Sequence, residues 1–122
     1  MPAREFHIVV ADDEAQVRNV FAKLLTGAGY TVTAADSGVA AFQVLQTEPV
    51  DLLVLDLNMP QPDGFELLKQ LRAYRPALKI LVVSGVMQGP LLKAAEMLGA
   101  AATLSKTDAH RLLVPTVQSI LG

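Results

Sequence analysis

Leu52-Leu53-Val54-Leu55 and Ile80-Leu81-Val82-Val83 are two short runs that contain no polar side chain. A strand with one face in water would alternate apolar and polar residues, so these runs predict strands that are buried on both faces. Strands of that kind are typical of a parallel sheet covered by helices on each side. The two runs therefore favour an α/β fold.

Three weaker β-rich stretches, residues 6–11, 31–35 and 101–104, complete a set of five predicted strands. Helical apolar periods lie between them, which gives the order βα five times. Short right-handed crossovers then predict a (βα)5 doubly wound five-stranded parallel sheet, flavodoxin-like, in the order 2-1-3-4-5. The 122 residues fit one domain, expected to span 1–122.

The helices carry their own boundary signals. The first helix should end at Gly27 and Gly29, the second should open at Ser37-Gly38, and Pro90 should stand at the first position of the fourth. Pro115 lies inside the fifth helical pattern, where an interior proline predicts a kink or a late start. The core stripe of the first helix is predicted at Val17, Val20, Phe21, Leu24, Leu25 and Ala28.

The composition excludes several classes of protein. There is no cysteine, which removes disulfide scaffolds and thiolate metal sites. Ten Lys and Arg against twelve Asp and Glu give no basic excess, so direct binding of nucleic acid is not expected. No apolar run approaches the ~20 residues of a membrane span, and the N-terminus does not have the pattern of a signal peptide. A cytoplasmic protein without membrane contact is the expectation.

Polar residues follow four of the five predicted strands: Asp12-Asp13, Asp56, Ser84 and Lys106. Because parallel strands end at one edge of the sheet, these side chains should converge there. The two adjacent acids either cap the first helix, with Asp13 and Gln16 forming a near capping box, or bind a hard cation such as Mg²⁺ together with Asp56.

Asp56 is the sharpest of these candidates. A carboxylate held beside a cation is a plausible phosphoryl acceptor, because the cation offsets its repulsion of the incoming phosphoryl oxygens. Lys106 is either a solvated surface lysine or a point charge for the phosphoryl group, and Ser84 is either a turn residue or a hydroxyl donor to it. His7 and His110 have no metal-ligand partner at usable spacing, and no role is assigned to them.

With these motifs in order, the sequence resembles the receiver domains of bacterial two-component response regulators over essentially its whole length. The resemblance implies a phosphoacceptor that catalyses only its own phosphorylation and dephosphorylation, not an enzyme for another substrate. The matching stretches are Val9-Val10-Ala11-Asp12-Asp13-Glu14, Asp51 to Pro60 with Asp63-Gly64, Val82-Val83-Ser84-Gly85, and Leu98-Gly99-Ala100 leading to Lys106.

The resemblance implies that Asp56 receives the phosphoryl group from a phosphohistidine on a sensor histidine kinase or a histidine phosphotransfer protein. It implies Mg²⁺ bound by Asp13, Asp56 and the backbone carbonyl of Asn58, with Asp12 helping through water.

The resemblance further implies that Lys106 pairs with the phosphoryl group and that Ser84 rotates to hydrogen-bond it. This movement would act as a switch that remodels the face made of the fourth helix, the fifth strand and the fifth helix. Output proteins or domains, or a second copy of the chain in a homodimer, would dock on that face.

The sequence departs from the family on that same face. Thr103 stands where the family often has the aromatic member of the switch, and Thr107 stands where a proline usually follows the lysine. Leu92, Met97 and Met87 form either an apolar docking patch or scattered exposed side chains.

Three alternatives remain beside the phosphorylatable receiver. The first is a pseudo-receiver, a protein-interaction scaffold that phosphate does not regulate, which the Thr103 departure keeps open. A small aspartyl-phosphate phosphatase would place its acceptor after the first strand and would need a cap over the site. A flavin-binding domain would need a phosphate-cradling loop where Asp12-Asp13 instead repels phosphate.

Overall fold

The chain folds as five βα units around one sheet. A computed structural model describes residues 5–57, 64–85 and 89–122, without the side chains of residues 64, 65 and 89–92. The strands form a single parallel sheet in the order β2-β1-β3-β4-β5, which confirms the predicted doubly wound topology. The elements are β1 His7–Ala11, α1 Ala15–Gly27, β2 Thr31–Ala35, α2 Gly38–Thr47, β3 Leu52–Asp56, α3 Gly64–Tyr74, β4 Lys79–Ser84, α4 Gly89–Met97, β5 Ala102–Ser105 and α5 Lys106–Leu121.

The central strands are buried on both faces, as their aliphatic runs predict. Alternate residues belong to two separate cores: Leu53 and Leu55 of β3 pack under α2, α3 and α4, whereas Leu52 and Val54 pack under α1 and α5. Each side chain of this size that leaves water contributes about 1.5–3 kcal/mol. The C-terminal ends of β1, β3 and β4, at residues 11–12, 56 and 84, are therefore held in place by a core on each face of the sheet.

The buried face of α1 is narrower than predicted. Phe21 and Leu25 are buried and Val17 and Leu24 pack beside them, but Val20 is 47% exposed and Ala28 is exposed. A helix turns about 100° per residue, so a residue directly before Phe21 lies to one side of the buried stripe. The predicted assignment of these two residues to the core is wrong.

Most predicted helix boundaries are confirmed. Helix α1 ends at Gly27, and Gly29 has the left-handed φ of +99° that favours glycine after a helix. Ser37 caps α2, with its hydroxyl accepting from the Ala40 amide at 3.1 Å. Pro90 lies in the first turn of α4, one residue after its start at Gly89.

Of the two outcomes predicted at Pro115, a kink or a late start of the last helix, the late start is wrong and the kink stays a prediction. Helix α5 begins at Lys106 and continues through Pro115 to Leu121. Pro115 is exposed, so the Arg111 carbonyl that loses its amide partner lies on the side of the helix where water is available. The buried face of α5, formed by Ala109, Leu113 and Val117, stabilises the helix across that position.

Candidate functional site

The register of the parallel strands brings the polar strand ends to one edge of the sheet. Ala11 lies beside Leu55, Asp56 beside Val83, and Ser84 beside Ser105. Asp12 follows β1 and Lys106 follows β5, so residues far apart in the sequence meet at the C-terminal edge. The convergence expected from the order of the elements is present in the structure.

Three aspartates form the centre of this edge. Carboxylate oxygens of Asp12, Asp13 and Asp56 all lie within 4.8 Å of one another. Asp12 and Asp56 are almost fully buried, at 1% and 2% exposure, whereas Asp13 is exposed. Three acids so close together repel one another, and burial strengthens the repulsion because little water screens it.

Asp12 is held in place by its own backbone and by the start of α1. Its amide donates to the Ala35 carbonyl at 3.1 Å, its carbonyl accepts from the Arg18 guanidinium at 2.8 Å, and Oδ1 accepts from the Glu14 amide at 2.8 Å. Burial raises the pKa of the Asp12 carboxyl, the hydrogen bond from Glu14 and the contact with Lys106 oppose that rise, and the charge of Asp56 adds to it. The helix N-cap is Glu14, so the predicted capping box of Asp13 and Gln16 is wrong.

Lys106 lies among these acids and is not a solvated surface lysine. Its Nζ is 3.0 Å from Asp12 Oδ2, 3.0 Å from Glu14 Oε1 and 3.3 Å from Asp56 Oδ2, and its side chain is only 17% exposed. Burial alone would lower the pKa of this ammonium, but the close contacts with Glu14 and Asp12 and the charges of Asp56 and Asp12 raise the pKa above its usual value. Lys106 is therefore charged at any physiological pH.

A hard cation fits the residues present. Among the described residues, Asp12 Oδ2 is buried and makes no hydrogen bond, although it forms an ion pair with Lys106 at 3.0 Å. A buried carboxylate oxygen without a hydrogen bond, grouped with two other carboxylates, is a suitable ligand set for Mg²⁺, which prefers oxygen atoms. The predicted backbone ligand, Asn58, lies outside the described residues.

The two predicted switch residues, Ser84 and Thr103, lie on the neighbouring strands β4 and β5. Ser84, the last residue of β4, is 2% exposed and sits next to Ser105 in the sheet. Thr103 of β5 is half-buried and lies beside Val82. Thr107, in place of the family's usual proline, shares a 2.9 Å hydrogen bond between hydroxyls with Ser105, and the Ser105 hydroxyl also donates to Asp108 at 3.2 Å. Local hydroxyl bonds thus order the start of α5.

Glu14 is the site residue that the sequence alone did not assign. It appears in the acidic triplet Asp12-Asp13-Glu14, but only the fold brings α5 close enough for Lys106 to reach it. The other candidates lie elsewhere: His7 is at the opposite edge of the sheet, and His110 is an exposed residue of α5. Met97 is 82% exposed, whereas Met87 and the side chain of Leu92 lie outside the described residues.

The doubly wound sheet, its acidic edge and the lysine that the acids share agree with the resemblance to receiver domains seen in the sequence. Residues 8–118 match the response regulator receiver domain family, and the chain belongs to that family. It is a signalling domain rather than a classical enzyme. Within the described residues, no helix is both long and apolar enough to cross a membrane.

Individual relatives agree with this family. The chain is 36% identical to the response regulator receiver protein CpdR of Brucella abortus over 114 residues, covering 93% of this chain and 95% of that protein. It is 35% identical to the transcriptional regulatory protein FixJ of Bradyrhizobium diazoefficiens, covering 94% of this chain but only 56% of that protein.

Among solved structures, a CheY-like receiver domain protein from Methanospirillum hungatei shares the fold with a TM-score of 0.90. The two are 24% identical in sequence, and the match covers 97% of this chain and 94% of that one. At this level of identity, the likeness concerns the fold alone.

Proposed function

We propose that the chain is a phosphoryl-accepting receiver domain of a two-component phosphorelay, formed by residues 1–122 as one unit, and that Asp56 is the acceptor. The observation that carries this proposal is the 3.3 Å contact between Lys106 and Asp56, a buried carboxylate at the end of β3. A buried acid beside a cationic group, with two further acids that can hold a metal ion, is the arrangement that such a transfer needs.

In the proposed reaction, an Asp56 carboxylate oxygen attacks the phosphorus of a phosphohistidine on a sensor histidine kinase or histidine phosphotransfer protein. The P–N bond breaks, its electron pair stays on the imidazole, and an acyl phosphate forms on Asp56. Attack of water on that phosphorus later releases phosphate and restores the carboxylate. The chain catalyses only these two steps on itself.

The neighbouring residues would lower the barrier by holding charge in place. Asp12, Asp13, Asp56 and the Asn58 carbonyl would hold Mg²⁺, which would neutralise the negative charge between carboxylate and phosphoryl oxygens. The Lys106 ammonium would bind one phosphoryl oxygen, and the Ser84 hydroxyl would donate to another.

The output would follow from a change in population. A phosphoryl group bonded by Lys106 and Ser84 favours whichever conformation of these two strand ends allows both bonds. Ser84 ends β4 and Thr103 lies in β5, so the change would reach the face made of α4, β5 and α5. An output protein or domain, or a second copy of the chain, would dock there, and the relay would operate in the cytoplasm.

The test is phosphorylation by acetyl phosphate with Mg²⁺, followed by intact mass measurement. We expect a single phosphoryl adduct on the wild type and none on Asp56→Asn. The matched control is Asp51→Asn, which changes the aspartate just before the same strand and should leave the adduct intact. A folded wild-type protein that takes no phosphoryl group would overturn the proposal in favour of a protein-interaction scaffold.

A further inference from the structure

The contact between Glu14 and Lys106 joins the starts of two helices at the edge of the site. Glu14 is the N-cap of α1, Lys106 is the first residue of α5, and Nζ donates to Oε1 at 3.0 Å. We propose that Glu14 is a positioning residue that holds the Lys106 ammonium in the unphosphorylated state and must release it when Asp56 is phosphorylated. This inference rests on the function proposed above.

Competition for one ammonium is the physical basis of this role. An ammonium has three N–H donors, and three carboxylates lie within 3.3 Å of Nζ. Phosphorylation of Asp56 would replace its carboxylate charge by that of the phosphoryl oxygens, so Nζ would have to move to bond them, and the contact with Glu14 opposes that movement. Nζ lies 3.0 Å from both the exposed Glu14 and the buried Asp12 and 3.3 Å from Asp56, so the contact with Glu14 ties the ammonium to the rim of the site as well as to its interior.

Glu14 is the partner that Lys106 can leave at least cost. Its side chain is 63% exposed, whereas the side chains of Asp12 and Asp56 are 2% exposed. Water replaces the ammonium around an exposed carboxylate, but a buried carboxylate that loses its cation pays for its desolvation. The Glu14 contact is therefore strong enough to bias the lysine and weak enough to release it.

The position of Glu14 at the helix N-cap suggests a pair of informative variants. Its side chain makes no cap hydrogen bond, because it extends to Lys106 instead. Aspartate is shorter and is a preferred N-cap residue, so Glu14→Asp keeps the charge but should turn the carboxylate to the helix amides. Glu14→Gln keeps the length and removes the charge. Both changes should release Lys106.

The experiment measures the rate of adduct formation from acetyl phosphate with Mg²⁺ by intact mass. Release of Lys106 should raise the rate in both variants by about 1.5- to 5-fold, the range that an accessible ion pair supports. The control is Glu48→Gln, an exposed acid just after α2, which should leave the rate unchanged. If Glu14→Gln is faster but Glu14→Asp equals the wild type, simple repulsion of the anionic donor explains the effect and the proposal is wrong.

Two further measurements show whether Glu14 acts through Lys106. In a Lys106→Met background, Glu14→Asp should no longer change the rate, and a persisting increase would contradict the proposal. In metal-free protein, the ¹⁵Nζ signal of Lys106 should shift in both Glu14 variants and not in Glu48→Gln. An unshifted signal rules out the contact. A wild type without any adduct is a different result, because it removes the proposed function itself.

Discussion

Polar groups lie at both the N-terminal and the C-terminal edge of the sheet, but the two edges pair these groups in different ways. At the N-terminal edge, the His7 amide donates to Asp51 Oδ2 at 2.8 Å and the Asp51 amide donates to the His7 carbonyl at 2.8 Å. The His7 ring lies 2.9 Å from the Pro49 carbonyl through Nδ1 and 2.8 Å from the Thr33 hydroxyl through Nε2. A neutral ring that donates from Nδ1 and accepts at Nε2 satisfies both contacts.

The C-terminal edge concentrates charged side chains, whereas the N-terminal edge is a network of hydrogen bonds. Asp12, Glu14 and Asp56 share one ammonium, and within the described part of the chain Asp12 Oδ2 is buried without a hydrogen bond. Buried groups are normally satisfied, so an edge that leaves an acid oxygen unbonded lowers the stability of the fold.

This difference is what we expect if the N-terminal edge stabilises the fold and the C-terminal edge is the proposed ligand site. A hydrogen-bond network whose groups are all paired gains no stability from an added cation, whereas a cation relieves the repulsion within a crowded acidic cluster. The predictions below test this contrast, in order of decreasing effect.

The largest effect is expected for Lys106→Met. Removing the ammonium leaves Asp12 and Asp56 buried without their counter-charge, which should lower the metal-free unfolding free energy by about 2–3 kcal/mol, reduced from the range for a fully buried pair because Lys106 is partly exposed. Urea denaturation measures this loss. Lys79→Met, at the other end of the sheet, removes an exposed bond to the Ile120 carbonyl and should cost less than about 1 kcal/mol.

The next effect concerns Mg²⁺ and Asp13. An ion that binds only the folded chain stabilises it by about 2.7 kcal/mol at a hundred times its dissociation constant. Asp13→Ala should remove most of this gain and also raise the melting temperature of the metal-free protein, because one of three repelling carboxylates is gone. Thermal melts with and without Mg²⁺ measure both. A variant that keeps the full response to Mg²⁺ would refute the metal assignment.

At the opposite edge, Asp51→Ala should cost about 1–2 kcal/mol, because the half-buried His7 amide loses its acceptor. Urea denaturation gives the value. Adduct formation on Asp56 and the Mg²⁺ response of the melting temperature should not change. If either does, the two edges are coupled and the contrast between them fails.

The smallest effect is expected for Thr33→Val, which removes the hydroxyl that pairs with His7 Nε2. The loss should be about 0.5–1 kcal/mol, since the contact is partly buried and water can replace the hydroxyl. Denaturation of the double variant that combines Thr33→Val with Asp51→Ala tests whether the two contacts of His7 belong to one coupled network. A sum that departs from additivity by more than about 0.5 kcal/mol would show coupling through the His7 side chain and backbone.

The sequence predicted most of the fold because its signals are local and repeated. The aliphatic runs at 52–55 and 80–83 are strands buried on both faces, and β2 spans Thr31–Ala35 as predicted. The predictions for Val20 and for the start of α5 are wrong for different reasons. Val20 has the side chain of a core residue, but its angle around α1 places it beside the core. Pro115 carries a strong helix-breaking signal, which the packing of Leu113 and Val117 overrides.

The sequence by itself determined the sheet order and the presence of Asp12, Asp13, Asp56, Ser84 and Lys106 at the strand ends, because hydrophobic period and chain connectivity fix which edge each residue reaches. Only the tertiary structure decided how these groups share their charges. No local pattern encodes the distances between helices α1 and α5. These distances decide how exposed Asp13 is, why Asp12 Oδ2 makes no hydrogen bond within the described residues, and why Lys106 contacts Glu14.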